Sequence, residues 1–188
     1  MHGPDGMAGE LGHLQLDLDG PRCGCGGVGH VESYCSGRAI AREARAAVEA
    51  HRSPFLAERA ARDGGLDEVG ADDVAAGEDA GDATCAQIMV HARNVFAAAC
   101  VSYVNAFNPT LIVVGGAIAH HQGERLFRPA RDAVSIGTFP VPGERARIVP
   151  AALGGDVSLA GAYPLVEARL GDPSWQRSRP APAAANSR

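Results

Sequence analysis

The stretch TLIVVGG at residues 110–116 decides the fold class of this chain. It is a short, unbroken apolar run, rich in β-branched residues, that ends in two glycines. Such a run is typical of a strand that is covered on both faces of its sheet. Asn108-Pro109 directly precedes the run and marks the end of the element before it. We therefore predict a central strand at this point of the chain.

The segments around this strand alternate between helix and strand patterns. Residues 84–107 predict one long, mostly buried helix, because a narrow polar stripe runs through an otherwise apolar or alanine-rich sequence. The other predicted elements are a helix at 37–51 capped by Ser36, a helix at 123–135, a strand at 145–153 and a helix at 157–169. Strands that alternate with helices imply an α/β domain.

A further strand is predicted near the start of the chain. The segment LGHLQLDL at residues 11–18 alternates apolar and polar residues, with Leu14, Leu16 and Leu18 on one side. This period of two predicts a strand with one buried face. Asp19-Gly20-Pro21 then ends it as a turn.

The composition places the chain among ordinary globular proteins. Its 188 residues suffice for one domain with a real core. The 17 basic residues are all arginine and are scattered, which argues against a nucleic-acid-binding face. No apolar run approaches the roughly 18–20 residues of a membrane span, and the N-terminus lacks a signal-peptide pattern. The five cysteines lack disulfide-scaffold spacing. We expect a cytoplasmic protein that contacts neither membrane nor nucleic acid.

Two polar segments lie outside these elements. Residues 63–82 hold eight acidic residues and no basic one. They could form an acidic docking surface, but a solvated, partly helical segment is favoured, because such runs usually lie in solvent. Residues 171–188 are rich in proline, alanine and serine, and we predict a disordered tail there.

Cysteine, histidine and glutamate residues are concentrated in two stretches, GELGH at residues 9–13 and CGCGGVGHVE at residues 23–32. Zinc takes four nitrogen or sulfur ligands, and glycines allow a loop to close around an ion. The candidate ligands are His13, Cys23, Cys25 and His30. The alternative is a surface loop with free thiols, since a disulfide between Cys23 and Cys25 would be strained.

Glutamates flank both histidines of these segments. Glu10 precedes His13 by three positions, and Glu32 follows His30 by two. Carboxylates accept strong hydrogen bonds from hydroxyl groups, so the pair suits a polyhydroxylated ligand. From the residues alone, two ordinary surface glutamates are an equal alternative.

We assign structural roles, rather than binding roles, to the remaining cysteines and to a pair of histidines. Cys35, Cys85 and Cys100 stand in apolar helical contexts, where a cysteine behaves as a small hydrophobic residue. His120-His121 follows the strand-end glycines and could approach a phosphate. Two solvated loop histidines are the favoured interpretation.

The front of the chain resembles the signature of the ROK family (repressor, ORF, kinase). The stretch GPDGMAGELGHLQLDLDGPRCGCGGVGHVESYCSG matches the pattern E-x-G-H followed by C-x-C-G-x-x-G-C-x-E, with every spacing reproduced. One position departs from the pattern, because His30 stands where the family has its third cysteine. Imidazole is also a good zinc ligand, so a Cys2His2 site can replace Cys3His.

The resemblance implies a fold and a set of roles. The family's fold is an actin-like, hexokinase-like (ribonuclease H-like) α/β fold, and its enzymes are ATP-dependent sugar kinases such as bacterial glucokinases. By motif position, it implies structural zinc at His13, Cys23, Cys25 and His30, and sugar contacts at Glu10, His13 and Glu32. NPTLIVVGGAIA is similar to the family's nucleotide-side strand and turn, which makes Gly115 and Gly116 the nucleotide candidates.

The resemblance extends over residues 1–170, with the zinc loop at 13–32, and implies an incomplete, C-terminal domain. The chain contains neither a D-x-G-G-T phosphate loop nor an Asn-Asp pair, whose aspartate is the family's catalytic base. We therefore expect no catalytic residue in this chain. In the complete enzyme, expected to be a homo-oligomer, ATP with magnesium would phosphorylate a hexose or an amino sugar.

Two alternatives stay open at this point. The chain could be the sugar-sensing part of a ROK transcriptional repressor, or a zinc-stabilised remnant without catalysis. The DNA upstream of the Met1 codon would discriminate them. A phosphate loop followed by Asn-Asp would indicate a kinase, a helix-turn-helix a repressor, and a true start at Met1 a remnant.

Overall fold

A computed structural model describes residues 4–170, so the predicted tail at 171–188 lies outside the described residues. The helices are α1 (Glu32–Cys35), α2 (Gly37–Glu49), α3 (Pro54–Asp63), α4 (Ala71–Asp79), α5 (Ala83–Phe107), α6 (Ala117–Gln122), α7 (Glu124–Gly137), α8 (Pro140–Arg145) and α9 (Val157–Leu170). The strands are β1 (Leu111–Val114) and β2 (Arg147–Pro150). None of the helices within 4–170 combines the length and apolarity that a membrane span requires.

The strands predicted at 110–116 and 145–153 form a small parallel sheet. Leu111 pairs with Arg147 and Val114 with Pro150, and α6, α7 and α8 make the crossover between the strands. The prediction that β1 is covered on both faces is wrong. Ile112 and Val114 pack against the core, whereas Leu111 and Val113 are 47% and 56% exposed. Within residues 4–170, the helices cover one face of the sheet.

The strand predicted at 11–18 is also wrong. Leu11–His13 forms a 3-10 turn, and the segment after it makes one isolated antiparallel bridge, between Gln15 and His30. Leu14, Leu16 and Leu18 are exposed. A strand needs a continuous ladder with a neighbour, and here the backbone partner is the short segment 29–31.

The predicted helix at 37–51 is confirmed as α2. The Ser36 hydroxyl accepts a hydrogen bond from the backbone N–H of Ala39 and caps the helix. Ile40, Ala44 and Ala47 recur at helical spacing and are buried. The helix ends two residues earlier than predicted, at Glu49.

The predicted long helix is confirmed as α5, and it carries both halves of the core. Its first half packs through Cys85 and Met89 with α2, α3 and α4, and its second half packs through Cys100 and Val104 with α7 and β2.

Asp82 caps the N-terminus of α5. Its carboxylate accepts hydrogen bonds from the Cys85 backbone N–H at 2.9 Å and from the Ser53 hydroxyl at 2.8 Å. Partial burial opposes ionisation, but these hydrogen bonds hold the pKa of Asp82 below its ordinary value.

The acidic segment is partly helical as predicted, but it is not simply solvated. It runs from the end of α3 through α4, and Val69 and Val74 are fully buried. Helix α3, which was not predicted, starts at Pro54, behind a cap in which the Ser53 hydroxyl accepts from the Leu56 N–H. The segment therefore belongs to the core, against α2 and α5.

Candidate functional site

The E-x-G-H turn and the Gly-rich loop (residues 22–30) meet at the surface of the domain. Antiparallel bridges between Gln15 and His30 and between Arg22 and Val28 fold the loop back onto the chain. As a result, one nitrogen or sulfur atom from each predicted ligand lies within 4.8 Å of the other three. The four residues of this cluster are His13, Cys23, Cys25 and His30.

The distances within this cluster fit a tetrahedral metal site. The Cys23 Sγ lies 3.5 Å from His13 Nδ1, and the Cys25 Sγ lies 3.3 Å from His30 Nδ1. In a zinc site, with sulfur at about 2.3 Å and nitrogen at about 2.0 Å from the metal, neighbouring sulfur and nitrogen ligands are about 3.5 Å apart. Two thiols and two imidazoles are a chemically suitable zinc donor set. The residues present thus fit the ion.

Glycine is required at two positions for this loop to close. A Cβ at Gly27 would overlap the His30 ring. Gly29 has a φ of +63°, and a Cβ there would overlap the carbonyl oxygen of Asp17. A side chain at either position would therefore disturb the backbone or the His30 ring beside Cys25.

His13 also faces the predicted sugar contacts. Its Nε2 lies 3.6 Å from the Glu32 Oε2, so the ring presents one nitrogen to the cluster and the other to a carboxylate. Glu10 is exposed, and its backbone carbonyl accepts from the His13 N–H at 3.0 Å. The structure therefore brings His13 and Glu32 together and places Glu10 at the edge of the same turn.

Two tyrosines that the sequence did not single out hold these segments. The Tyr103 hydroxyl on α5 donates to the Leu11 carbonyl at 2.9 Å, and burial raises the pKa of Tyr103 to about 12. The Tyr34 hydroxyl donates to the Asp17 carboxylate at 2.8 Å. Desolvation, together with the hydrogen bond to Asp17, raises the pKa of Tyr34 to about 12. The presence of a tyrosine in the mostly apolar sequence of α5 was the available signal for Tyr103.

Gly115 and Gly116 line a separate, apolar cavity of about 410 Å³. They connect β1 to α6, and Gly116 has a φ of +99°. Side chains of α2, α5 and α6 form the walls, among them Met89, Phe96 and Ile118.

A buried ion pair lies at the wall of this cavity. The sequence patterns did not predict it. Arg93 is 8% exposed, and its Nη2 lies 2.5 Å from the Glu78 Oε1. Its Nη1 donates to the Gln122 Oε1 at 2.9 Å, which ties α5 to both α4 and α6. The available sequence signal for this ion pair was a single arginine within the mostly apolar sequence of α5.

The three cysteines and two histidines to which we assigned structural roles lie outside the metal-capable cluster. Cys85 and Cys100 are buried, and burial raises the pKa of each thiol to about 12. The pKa of Cys35 is raised to about 11, also by burial, so these thiols are poor nucleophiles and ligands. His120 and His121 are exposed as expected, but they belong to α6 rather than to a loop.

The ROK family model matches residues 1–169 of the chain. The chain belongs to the ROK family. It is 33% identical to a glucokinase of Halalkalibacterium halodurans over 168 residues, 89% of this chain and 50% of that enzyme. It is 30% identical to a glucokinase of Thermotoga maritima over 169 residues, 90% of this chain and 52% of that enzyme. An N-acetylmannosamine kinase of Escherichia coli is 54% identical over 43 residues, 23% of this chain and 15% of that enzyme.

Solved ROK structures share the fold. A ROK glucokinase from Streptomyces griseus, in complex with glucose and AMPPNP, aligns with a TM-score of 0.70 at 29% identity. The alignment covers 88% of this chain and 53% of that one. A ROK transcriptional regulator, a homologue of the E. coli MLC protein, aligns with a TM-score of 0.63 at 28% identity, covering 80% and 36%. The fold is therefore shared with the aligned part of these ROK proteins, and this chain spans about half the length of the curated glucokinases it matches.

Proposed function

We propose that this ROK chain supplies the zinc-binding and sugar-binding part of an ATP-dependent hexose kinase. The observation that carries the proposal is the position of His13, between the Cys23 thiol and the Glu32 carboxylate. One imidazole thereby joins a metal-capable cluster to a hydroxyl-binding group. The similarity to two bacterial glucokinases along most of the chain supports the same function.

In this proposal, Glu10, His13 and Glu32 bind sugar hydroxyls. The two carboxylates accept hydrogen bonds from hydroxyl groups, and charge-assisted hydrogen bonds of this kind are stronger than neutral ones. Glu32 and His13 are about one third exposed, so both are open to a ligand from solvent. Hexoses and amino sugars are the substrate class, in line with the kinases that this chain resembles.

The zinc ion would be structural. His13, Cys23, Cys25 and His30 would fill all four positions of a tetrahedral ion, which leaves none for a substrate. The ion would connect the loop to the E-x-G-H turn and fix the His13 ring, so that Nε2 stays directed towards Glu32.

The turn at Gly115-Gly116 is the proposed nucleotide side. Ligands of open α/β sheets bind beyond the carboxyl ends of the strands, and this turn follows the carboxyl end of β1. The adjoining cavity is lined largely by apolar side chains, which suit the flat faces of a purine ring.

Phosphoryl transfer should require groups that this chain does not contain. It has neither a D-x-G-G-T phosphate loop nor an Asn-Asp pair to supply a general base. Loss of a general base alone costs on the order of 10²–10⁴-fold in rate. Loss of the phosphate donors also removes the in-line positioning of the two substrates.

The test is a coupled ADP-release assay with glucose, N-acetylglucosamine, N-acetylmannosamine and fructose. We expect no turnover from the chain alone, and turnover when the separately expressed N-terminal half of a related ROK kinase is added. Glu32→Gln should abolish the restored activity, whereas Glu144→Gln, an exposed glutamate on α8, should not. Sugar-dependent turnover by the chain alone would overturn this assignment of roles.

A second candidate function rests on the structural similarity to a ROK transcriptional regulator. In that case, the same cluster and carboxylates would sense a sugar without phosphorylating it. Failure of every kinase half to restore turnover, together with saturable hexose binding that Glu32→Gln removes, would favour this candidate.

A further inference from the structure

A small cavity of about 110 Å³ lies beside the Gly-rich loop, and it shares Cys23 and Glu32 with the site described above. The loop, α1 and the first turns of α2 form its walls. Its lining includes three exposed arginines, Arg22, Arg38 and Arg42. This concentration of positive charge stands out because the chain as a whole carries a net charge of −5.

Two of these arginines have their hydrogen-bond donors free. Within the part of the chain that the structure describes, neither Arg22 nor Arg38 makes a side-chain hydrogen bond or ion pair. Arg42 is held in place, because its Nη2 donates to the Ser33 carbonyl at 2.8 Å and to the Glu43 carboxylate at 2.9 Å. One guanidinium is thus fixed at the wall while the other two remain available.

The acidic groups nearby leave the cavity with an excess of positive charge. Glu32 also lines the cavity, but its Oε2 lies beside His13 Nε2, on the sugar side of the cluster. Glu43 is engaged by Arg42. Arg22 and Arg38 therefore contribute two positive charges to the cavity lining, and the Glu32 carboxylate offsets one of them.

We propose that this cavity binds a phosphate group, either as inorganic phosphate or as the phosphomonoester of a small metabolite. Guanidinium groups match a tetrahedral oxyanion through pairs of parallel, charge-assisted hydrogen bonds. The cavity has room for one such group but not for a nucleotide, which distinguishes it from the larger apolar cavity at Gly115-Gly116. The proposal does not depend on the kinase function.

The test is isothermal titration calorimetry of the full chain with inorganic phosphate, at constant ionic strength. We expect saturable binding of one phosphate per chain, weakened at least tenfold in Arg22→Gln and in Arg38→Gln. Arg38 lies on α2, outside the loop, so its variant separates loss of the anion site from damage to the zinc cluster. The matched control is Arg128→Gln, which makes the same charge change at an exposed position of α7.

Two further measurements sharpen the result. A titration with chloride at the same ionic strength separates phosphate recognition from general charge attraction. A titration with glucose 6-phosphate distinguishes a phosphomonoester from inorganic phosphate as the ligand. A hexose phosphate that binds tenfold more tightly than phosphate, and loses this affinity in Arg38→Gln, would identify a phosphomonoester as the ligand, and equal affinities would identify free phosphate. Equal weakening in all three arginine variants, or binding no stronger than that of chloride, would overturn the proposal.

Discussion

Replacing Cys25 with serine tests the metal cluster most directly. The Cys25 Sγ lies 3.3 Å from His30 Nδ1, and it is one of the two thiols among the four donors. Even changes behind a ligand typically weaken metal binding by about 10–100-fold. Loss of a ligand itself should therefore weaken zinc binding by at least about 100-fold.

This loss of affinity converts into stability by mass action. At saturating zinc, a 100-fold weaker site lowers the free energy of unfolding by about 2.7 kcal/mol. For a domain of this size, each kcal/mol corresponds to about 2–4 °C in Tm, so we expect a drop of about 5–10 °C. The added effect of zinc on Tm should largely disappear in the variant.

The assay is elemental analysis of dialysed protein, combined with chelator competition and thermal unfolding. The natural protein should hold about one zinc per chain. The matched control is Cys35→Ser, because Cys35 lies outside the cluster and its thiol donates to the Val31 carbonyl, a role that a hydroxyl can keep. The reasoning is refuted if Cys25→Ser retains a full zinc complement with unchanged chelator competition and Tm.

Three further predictions concern the loop, its anchor and a helix cap. Gly27→Ala should lower zinc content because the new methyl group overlaps the His30 ring, whereas Gly24→Ala, which meets open space, should retain zinc on elemental analysis. Tyr103→Phe removes the hydrogen bond to the E-x-G-H turn and should cost about 1 kcal/mol, with faster amide exchange in that turn; unchanged exchange would contradict this. Asp82→Ala should cost about 1 kcal/mol in urea unfolding at pH 7. Because the folded pKa of Asp82 is depressed, this difference should be present above about pH 4 and shrink as the pH falls through the folded pKa.

Patterns within a short stretch of sequence were sufficient for several of the helices and for the cluster. The recurrence of Ile40, Ala44 and Ala47 located α2, because a helical face repeats every three to four residues. The spacing of His13 and the cysteines located the metal-capable site, since a tight, Gly-rich loop leaves few ways to arrange its side chains. The cap of α3 at Ser53-Pro54 was equally local and was overlooked.

Contacts between distant residues were decided by the tertiary structure. Residues 11–18 have the alternation of a strand, but alternation does not specify whether a partner strand lies alongside, and here the partner is a short loop segment. The apolar run at 110–116 predicts a strand, yet its sequence cannot tell that the side of Leu111 and Val113 stays exposed within the described residues. The ion pair between Arg93 and Glu78 joins α5 to α4, and the sequence of neither helix alone specifies this contact. Local propensity is encoded within a few residues, whereas burial and pairing depend on what the rest of the chain brings to the same place.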